Sequence, residues 1–376
     1  MIYRDFKDGK KTSMLGMGCM RLATLPGPGD VVDYDLAERI IQKAYENGVN
    51  YFDSAYVYLS GNSERTLGKA LSKYPRESYY IATKMPGMIQ TKEDVERIFN
   101  EQLERLGVDY IDFYLCHNVN ERSIDTFINL EVPQFLEKKR DEGKIRYIGF
   151  SSHGQPETLA RFADLRDWDF AQIQLNYFDW FRSNTKEQYQ VLRDRNIPIV
   201  VMEPVRGGRL ASLTESSDAM LKEARPDRSI AAWAFRFVQS LPGIQVILSG
   251  MNAMDQMDDN LGTFAEEEPM QQSDLELLEK AVDNLIKEVS APCTACRYCS
   301  ECPQELDIPE ILKIYNSYAI SKSFFALGAL NQLPEGKRPT DCLGCGVCAN
   351  ACPQNIQIPD LMAELADAMN KMPRRG

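Results

Sequence analysis

Eight cysteines stand in two runs near the end of this 376-residue chain, Cys293-x2-Cys296-x2-Cys299-x2-Cys302-Pro303 and Cys342-x2-Cys345-x2-Cys348-x3-Cys352-Pro353. Two-residue spacers let three thiolates close around one cube of iron and sulfide from a single turn of chain. Small residues within the runs (Ala295, Gly344, Gly346) let the backbone come close. A pair of four-cysteine zinc sites is the competing reading, but zinc ribbons offer two Cys-x2-Cys pairs, not two runs of four ending in Cys-Pro. The spacing therefore predicts two [4Fe-4S] clusters. Cys19 and Cys116 lie far from these runs in apolar strand patterns and read as buried core thiols.

A second constellation lies in the first third of the chain. Consecutive apolar runs end in Asp53 with its following tyrosines, in Ala82-Thr83-Lys84, and in Leu115-Cys116-His117. A tyrosine hydroxyl, with a free pKa of about 10, is a poor proton donor at neutral pH. A neighbouring ammonium favours the phenolate, and a carboxylate paired with the lysine holds it in place. A histidine beside a carbonyl can orient it. Such a set protonates a carbonyl oxygen as hydride arrives at carbon. A lone lysine or aspartate at a strand end is more often an ion pair, so the joint occurrence of all the types in order carries the reading.

The elements that must position these groups follow from periodicity. Short apolar runs predict strands at Met14–Cys19, Asn50–Asp53, Tyr79–Lys84, Ile111–His117, Arg146–Phe150, Ala171–Leu175, Pro198–Met202 and Ile244–Leu248. Between them, helical patterns run over Asp35–Asn47, Ser63–Lys73, Lys92–Leu106, Ile124–Glu142 and Ser229–Ser240. Asp35 is the expected N-cap of the first, and Gly48 its stop. Eight strand-then-helix units over roughly 250 residues predict an α/β protein built as a (β/α)8 TIM barrel. The open doubly wound sheet is the alternative, but no Gly-x-Gly-x-x-Gly opens the first βα junctions.

The expected domains are a barrel over 1–265, a connecting segment and helix over 266–291 (the helix at Ser273–Val289), and a small, mostly helical cluster domain over 292–376. The last contains a repeat, Cys302-Pro303-Gln304-Glu305-Leu306-Asp307-Ile308-Pro309 echoed by Cys352-Pro353-Gln354-Asn355-Ile356-Gln357-Ile358-Pro359. In each copy the second proline and the acidic residue after it open a helix, Glu310–Ala319 and Asp360–Met369.

A formal net charge of −12 argues against nucleic acid or an anionic membrane surface as partner. No apolar run approaches the ~20 residues that cross a bilayer. The stretch Met1–Lys7 lacks the basic-then-apolar order of a secretory signal, so a cytoplasmic location is expected. There, clustered cysteines serve metals rather than disulfides.

The segment from about residue 10 to 262 resembles the aldo-keto reductase family. The resemblance rests on Phe52-Asp53-Ser54-Ala55 with Tyr58 five residues after Asp53, and on Ser63-Glu64-Arg65-Thr66-Leu67-Gly68. Gly143-Lys144-Ile145-Arg146-Tyr147-Ile148-Gly149-Phe150-Ser151 and Glu203-Pro204 follow in order. The resemblance implies a nicotinamide-dependent oxidoreductase acting on a small-molecule carbonyl or alcohol. Tyr58 is then the acid, Lys84 its activator, Asp53 the anchor and His117 the substrate orienter. It also implies cofactor contacts from Ser151, Ser152, Gln172, Pro204, Arg206, Gly207, Ser249, Gln256 and Asn260. Ser152 stands where Asn is usual, and Met202 falls where an aromatic stacks on the nicotinamide. Gly250 and Gln256 replace cations that hold a 2′-phosphate, while Asp255, Asp258 and Asp259 would repel one, so NAD(P)H use leans to NADH.

The tail is similar to a two-cluster ferredoxin, in which the fourth cysteine of each run ligates the other cluster. That implies one cluster on Cys293, Cys296, Cys299 and Cys352, and one on Cys342, Cys345, Cys348 and Cys302. Three functions fit these parts: a carbonyl reductase with structural or regulatory clusters, an electron-transfer enzyme or subunit serving a ferredoxin or flavoprotein partner, and a non-catalytic sensor. The tetrad disfavours the last. Hydride carries two electrons and each cluster one, so direct coupling calls for a flavin, of which the sequence carries no sign.

Overall fold

In this computed structural model residues 1–25, 31–288, 291–321 and 327–371 are described. By its contacts the chain forms two compact units, Met1–Val205 with Ala231–Leu275, and Arg206–Ile230 with Glu276–Gly376. The excursion at Arg206–Ile230 lies inside the stretch that sequence alone gives to the barrel.

The first unit opens with an antiparallel hairpin, β1 (Tyr3–Asp5) and β2 (Lys11–Ser13). Its turn is made by Asp8 and Gly9, both at positive φ. Eight parallel strands then close a barrel in the order β10-β3-β4-β5-β6-β7-β8-β9. They are β3 (Leu15–Gly18), β4 (Tyr51–Asp53), β5 (Tyr80–Met85), β6 (Ile111–Val119), β7 (Ile145–Ser152), β8 (Phe170–Gln174), β9 (Ile199–Met202) and β10 (Ile244–Ser249).

Alternation along these strands builds core and site from one inward row. Tyr51, Tyr80, Ala82, Phe113, Leu115, Tyr147, Phe170, Val200, Val246 and Leu248 form one buried cluster. Stepping two residues on from Tyr51, Ala82, Leu115 and Phe170 gives Asp53, Lys84, His117 and Gln172, so the polar set continues the same inward faces. Gly149 is required by packing. A Cβ there would lie 2.6 Å from the Phe170 ring and 2.6 Å from the Phe170 carbonyl oxygen.

Local signals explain most helix ends, with two differences from the sequence reading. The first helix, α1 (Tyr34–Glu46), is capped by Asp33, whose carboxylate accepts from Leu36 N at 3.1 Å, not by Asp35. The expected long helix at 124–142 is two, α4 (Ile124–Asn129) and α5 (Val132–Asp141). Glu131 between them sits at φ 55°, and Pro133 suits only a first turn. Of the intervening helices, α2 spans Asn62–Leu71, and α3 (Lys92–Leu106) has a Thr91–Asp94 capping box and ends at left-handed Gly107.

In the second unit the repeat is visible in the backbone. Helices Ile308–Ser321 and Ile358–Asn370 each carry proline in the first turn, followed by Glu310 or Asp360. Their apolar faces share a core with Leu306, Ile311, Leu312, Tyr315, Leu330, Ile356, Met362 and Leu365. Ala295, Arg297 and Glu305 are left-handed, and so are their counterparts Gly344, Gly346 and Asn355. The connecting helix spans Gln272–Glu288, while Val289, which the sequence reading also gave it, lies outside the described residues.

Candidate functional site

At the ends of β4 and β5, Lys84 Nζ lies 2.6 Å from Asp53 Oδ1 and 2.5 Å from the Ser54 carbonyl oxygen. The lysine is fully buried. Its ammonium stands 4.9 Å from the centre of the Tyr58 ring, and that ring meets His117 edge-on with centroids 5.6 Å apart. These four residues converge. Burial lowers the Lys84 ammonium below its ordinary range, opposed by the Asp53 charge. Burial and then the Lys84 charge hold His117 well below the usual imidazole value, so His117 is neutral at physiological pH and can donate one N–H.

The loop that presents Tyr58 is held at both ends. Ser54 N donates to Ala82 O at 2.8 Å, and the Ser63 hydroxyl donates to Cys19 O at 2.8 Å. Directly after Tyr58, Leu59, Ser60 and Gly61 are all left-handed, at φ 49°, 54° and 84°. For the two non-glycine residues this strain costs on the order of 1 kcal/mol each. Behind Lys84 is a buried network that the sequence reading gave no role. Glu64 accepts from the Thr83 hydroxyl at 2.6 Å, from Gln102 Nε2 at 2.9 Å and from Arg105 at 3.3 Å. Gln102 also donates to the Lys84 carbonyl at 3.1 Å, tying α2 and α3 to the site strand. The motif Ser63-Glu64-Arg65 was the signal that could have found it.

Of the expected cofactor contacts, Ser151 Oγ accepts from Asn118 N at 2.8 Å. The Ser152 hydroxyl donates to Val119 O at 2.9 Å and accepts from Gly154 N at 3.1 Å, so it is a structural tie between loops. Gln172 Nε2 reaches Met202 Sδ at 3.6 Å, while its Oε1 is buried without a hydrogen-bond partner among the described residues. That orphaned acceptor fits the amide of a carboxamide. Asn260 donates to Ser249 Oγ at 2.9 Å, and Gln256 Oε1 accepts from Asn252 N at 2.9 Å. Pro204 is buried after left-handed Glu203, whose carboxylate pairs with Arg21 at 2.9 Å. Arg206 and Gly207 belong to the second unit, where Arg206 donates to Pro292 O at 3.1 Å and to Gln354 Oε1 at 2.9 Å.

In that unit the thiols frame two hollows of about 360 and 310 Å³, counting space open to solvent. One is lined by Cys302, Cys342, Cys345 and Cys348, the other by Cys293, Cys296, Cys299 and Cys352. Electrostatics group the sulfurs in the same way. Burial, then Cys296 and Cys293 with a smaller effect from Cys352, pushes the Cys299 thiol up to about 12. Among the described residues no three His, Cys, Asp or Glu side chains converge tightly enough to hold a single ion. Four thiols around each hollow are instead the donor set that a [4Fe-4S] cluster takes. Backbone N–H groups support the sulfurs at equivalent points, Ala295 N to Cys293 Sγ at 3.3 Å and Gly344 N to Cys342 Sγ at 3.5 Å. The start of the first run is pinned by Asn316, which accepts from Ala291 N at 2.6 Å and donates to Ala291 O at 2.8 Å.

The left-handed turns permit a clean measurement. A Cβ added to Gly346 (φ 76°) meets no protein atom within 4 Å, so against the rest of the chain Gly346→Ala carries a backbone cost alone. It is expected to destabilise the second unit by about 1 kcal/mol, and Ala295→Gly to stabilise it by less. Anaerobic denaturant unfolding of the two variants reads the difference.

A closed parallel barrel with a buried Lys–Asp pair at its strand ends, followed by a unit framing two four-thiol hollows, defines an iron–sulfur oxidoreductase. The chain belongs to the Aldo/keto reductase family, whose sequence profile matches residues 14–283, and a 4Fe-4S dicluster domain matches residues 292–356. It is similar to L-galactose dehydrogenase of Arabidopsis thaliana, 26% identical over 304 residues covering 74% of this chain and 93% of that protein. A second relative is the NADH-specific methylglyoxal reductase of Escherichia coli strain K12, 28% identical over 218 residues, 53% of this chain and 65% of that protein. Among solved structures, the holo form of aldo-keto reductase AKR11C1 from Bacillus halodurans matches with a TM-score of 0.63 at 26% identity, covering 75% of this chain and 96% of that one. No helix among the described residues is long and apolar enough to cross a membrane.

Proposed function

We propose that the barrel reduces the carbonyl of a small aldehyde or ketone, or oxidises the corresponding alcohol, with Tyr58 as the proton donor and acceptor. The observation that carries this reading is the Lys84 ammonium, pinned between Asp53 and the Ser54 carbonyl beneath the Tyr58 ring. A bound nicotinamide supplies the hydride that reaches the carbonyl carbon. Lys84 then stabilises the phenolate left when Tyr58 gives its proton to the carbonyl oxygen, and Asp53 keeps that ammonium charged and in place. Neutral His117 donates to the same oxygen and fixes its angle. Gln172, with its orphaned oxygen, and Ser151 would hold the carboxamide. Pro204, Ser249, Gln256 and Asn260 would line the remaining dinucleotide path, with Ser152 supporting its loop.

The stretch from Ser249 to Asn260 contains no Lys or Arg and three aspartates, of which Asp258 pairs with Lys43. NADH is therefore the preferred donor, a reading consistent with the name of the Escherichia coli relative. The expected kcat/KM with NADPH is lower by about tenfold or more, the worth of one missing charge-assisted hydrogen bond. Steady-state assays with both donors decide it.

The second unit holds two [4Fe-4S] clusters, one on Cys293, Cys296, Cys299 and Cys352 and one on Cys302, Cys342, Cys345 and Cys348. Bound there, each cluster would supply one-electron transfer to or from a redox partner such as a ferredoxin or flavoprotein. Anaerobic protein titrated first with NADH and then with dithionite tests the coupling. Cluster absorption should survive NADH and bleach with dithionite. Bleaching by NADH alone would instead join the two chemistries and direct the search to a bound flavin.

A further inference from the structure

The two cluster sites are related by a repeat in sequence, yet their surroundings differ in charge. Beside the Cys302 hollow, Lys337 donates to the Gln304 carbonyl at 3.0 Å and pairs with the Glu305 carboxylate at 2.5 Å. The cation and the carboxylate cancel. At the Cys293 hollow the counterpart of Gln304 is Gln354, and the counterpart of Glu305 is Asn355, which carries no charge. Gln354 receives its hydrogen bond from Arg206, a residue only 6% exposed. Arg206 also donates to the carbonyl of Pro292, next to Cys293.

The segment bearing this arginine is pressed against the first cysteine run. Gly207 is left-handed, and a Cβ on it would lie 2.1 Å from the carbonyl oxygen of Thr294, the residue after Cys293. Arg206 itself is left-handed at φ 50°, a strain that its long-range bonds to Pro292 and Gln354 help sustain. Further along the same segment, the part-buried Arg209 closes the turn onto Arg206, its N–H donating to the Arg206 carbonyl at 3.3 Å, and its guanidinium feels the Cys293 thiol. It makes no ion pair among the described residues. A positive charge held beside a cluster site favours whichever state of the cluster is the more negative. A cubane with four thiolates is an anion in both oxidation states and gains a further negative charge on reduction.

We infer that Arg206 and Arg209 are charge partners of the cluster on Cys293, Cys296, Cys299 and Cys352, and that they raise its reduction potential above that of the second cluster. The inference rests on the cluster ligation proposed above. It gives the module a direction, since an electron entering at the second cluster, where Cys345 is exposed, comes to rest on the first. It also assigns the two arginines to the clusters and not to a dinucleotide pyrophosphate.

The test is a potentiometric titration of the full-length, anaerobically prepared protein, followed by electron paramagnetic resonance. Arg209→Gln is the primary variant because it leaves the Arg206 bonds intact. It should make reduction of the higher-potential cluster at least about tenfold less favourable, a shift of about 59 mV for one electron, and leave the other wave in place. Arg209→Lys should restore it, which a purely structural role would not predict. Asn355→Glu, which adds the carboxylate that the second site already has, should lower the same wave. Glu305→Asn should raise the other. Waves that stay put in Arg209→Gln, or that move together, overturn the inference, as does a weakened NADH affinity with unchanged potentials. Iron and sulfide analysis of the wild type keeps the two levels apart, since fewer than two clusters per chain would sink the ligation itself.

Discussion

Tyr58→Phe is expected to lower kcat for aldehyde reduction by about 10²–10⁴-fold, the range that a positioned general acid contributes. NADH affinity should stay within about threefold, because the ring and its packing survive the change. The residue is only 9% exposed, and the left-handed backbone at Leu59, Ser60 and Gly61 follows it directly. Lys84→Met should be as damaging to kcat, for it removes the charge that makes the phenolate accessible. The pH–rate profile separates this reading from one in which the histidine supplies the proton. Burial and the Lys84 charge keep His117 neutral, so its protonation lies well below pH 6.5 and contributes no limb near neutrality. A tyrosine that must arrive protonated gives reductase activity that falls as pH rises through the Tyr58 pKa. Full activity in Tyr58→Phe, measured under single-turnover conditions, would remove the assigned role.

Cys352→Ser should cost the chain one cluster, and the one lost should be that of the first run. The serine lies at the end of the second run, yet the Cys352 thiol lines the hollow with Cys293, Cys296 and Cys299. Iron content is expected to fall from about eight to about four per chain. The surviving cluster should have the spectrum and potential of the one on Cys302, Cys342, Cys345 and Cys348. Cys302→Ser should give the complementary result. Because a cluster binds only the folded unit, each loss also lowers its melting temperature, an effect visible by anaerobic calorimetry. If Cys352→Ser instead abolished the second-run cluster, the crossed ligation would be wrong and each run would close on itself.

Much of the fold was legible because its signals are local. Eight apolar runs of strand length marked the eight barrel strands within a residue or two at most ends, and the polar types at their ends come together in the fold. The cysteine spacings named the cluster module directly. What stayed hidden has no local signature. Strands β1 and β2 read Tyr-Arg-Asp and Lys-Thr-Ser, with no apolar run to reveal them, although they form a hairpin. The break at Glu131 depends on a left-handed backbone at a residue that is not glycine. Arg206 looked like part of a dinucleotide loop, yet its partners lie 86 and 148 residues further along the chain. The network around Glu64 joins one strand to two helices in the same non-local way. Such pairings are decided by topology, after the elements have formed.

The shared inward row of the barrel strands has a consequence for how this site tolerates change. Asp53, Lys84, His117 and Gln172 are not four separate placements; each inherits its aim from the stagger of its strand against the next. The scheme works like a vernier, in which sliding one scale by a single division misaligns every mark on it. A one-residue slip in β5 would turn Lys84 outward and bring its neighbours' side chains into the barrel, so core and chemistry would fail together. Loops can lengthen without touching that alignment. New specificities can therefore be tried at the mouth while the proposed proton machinery remains as secure as the barrel itself.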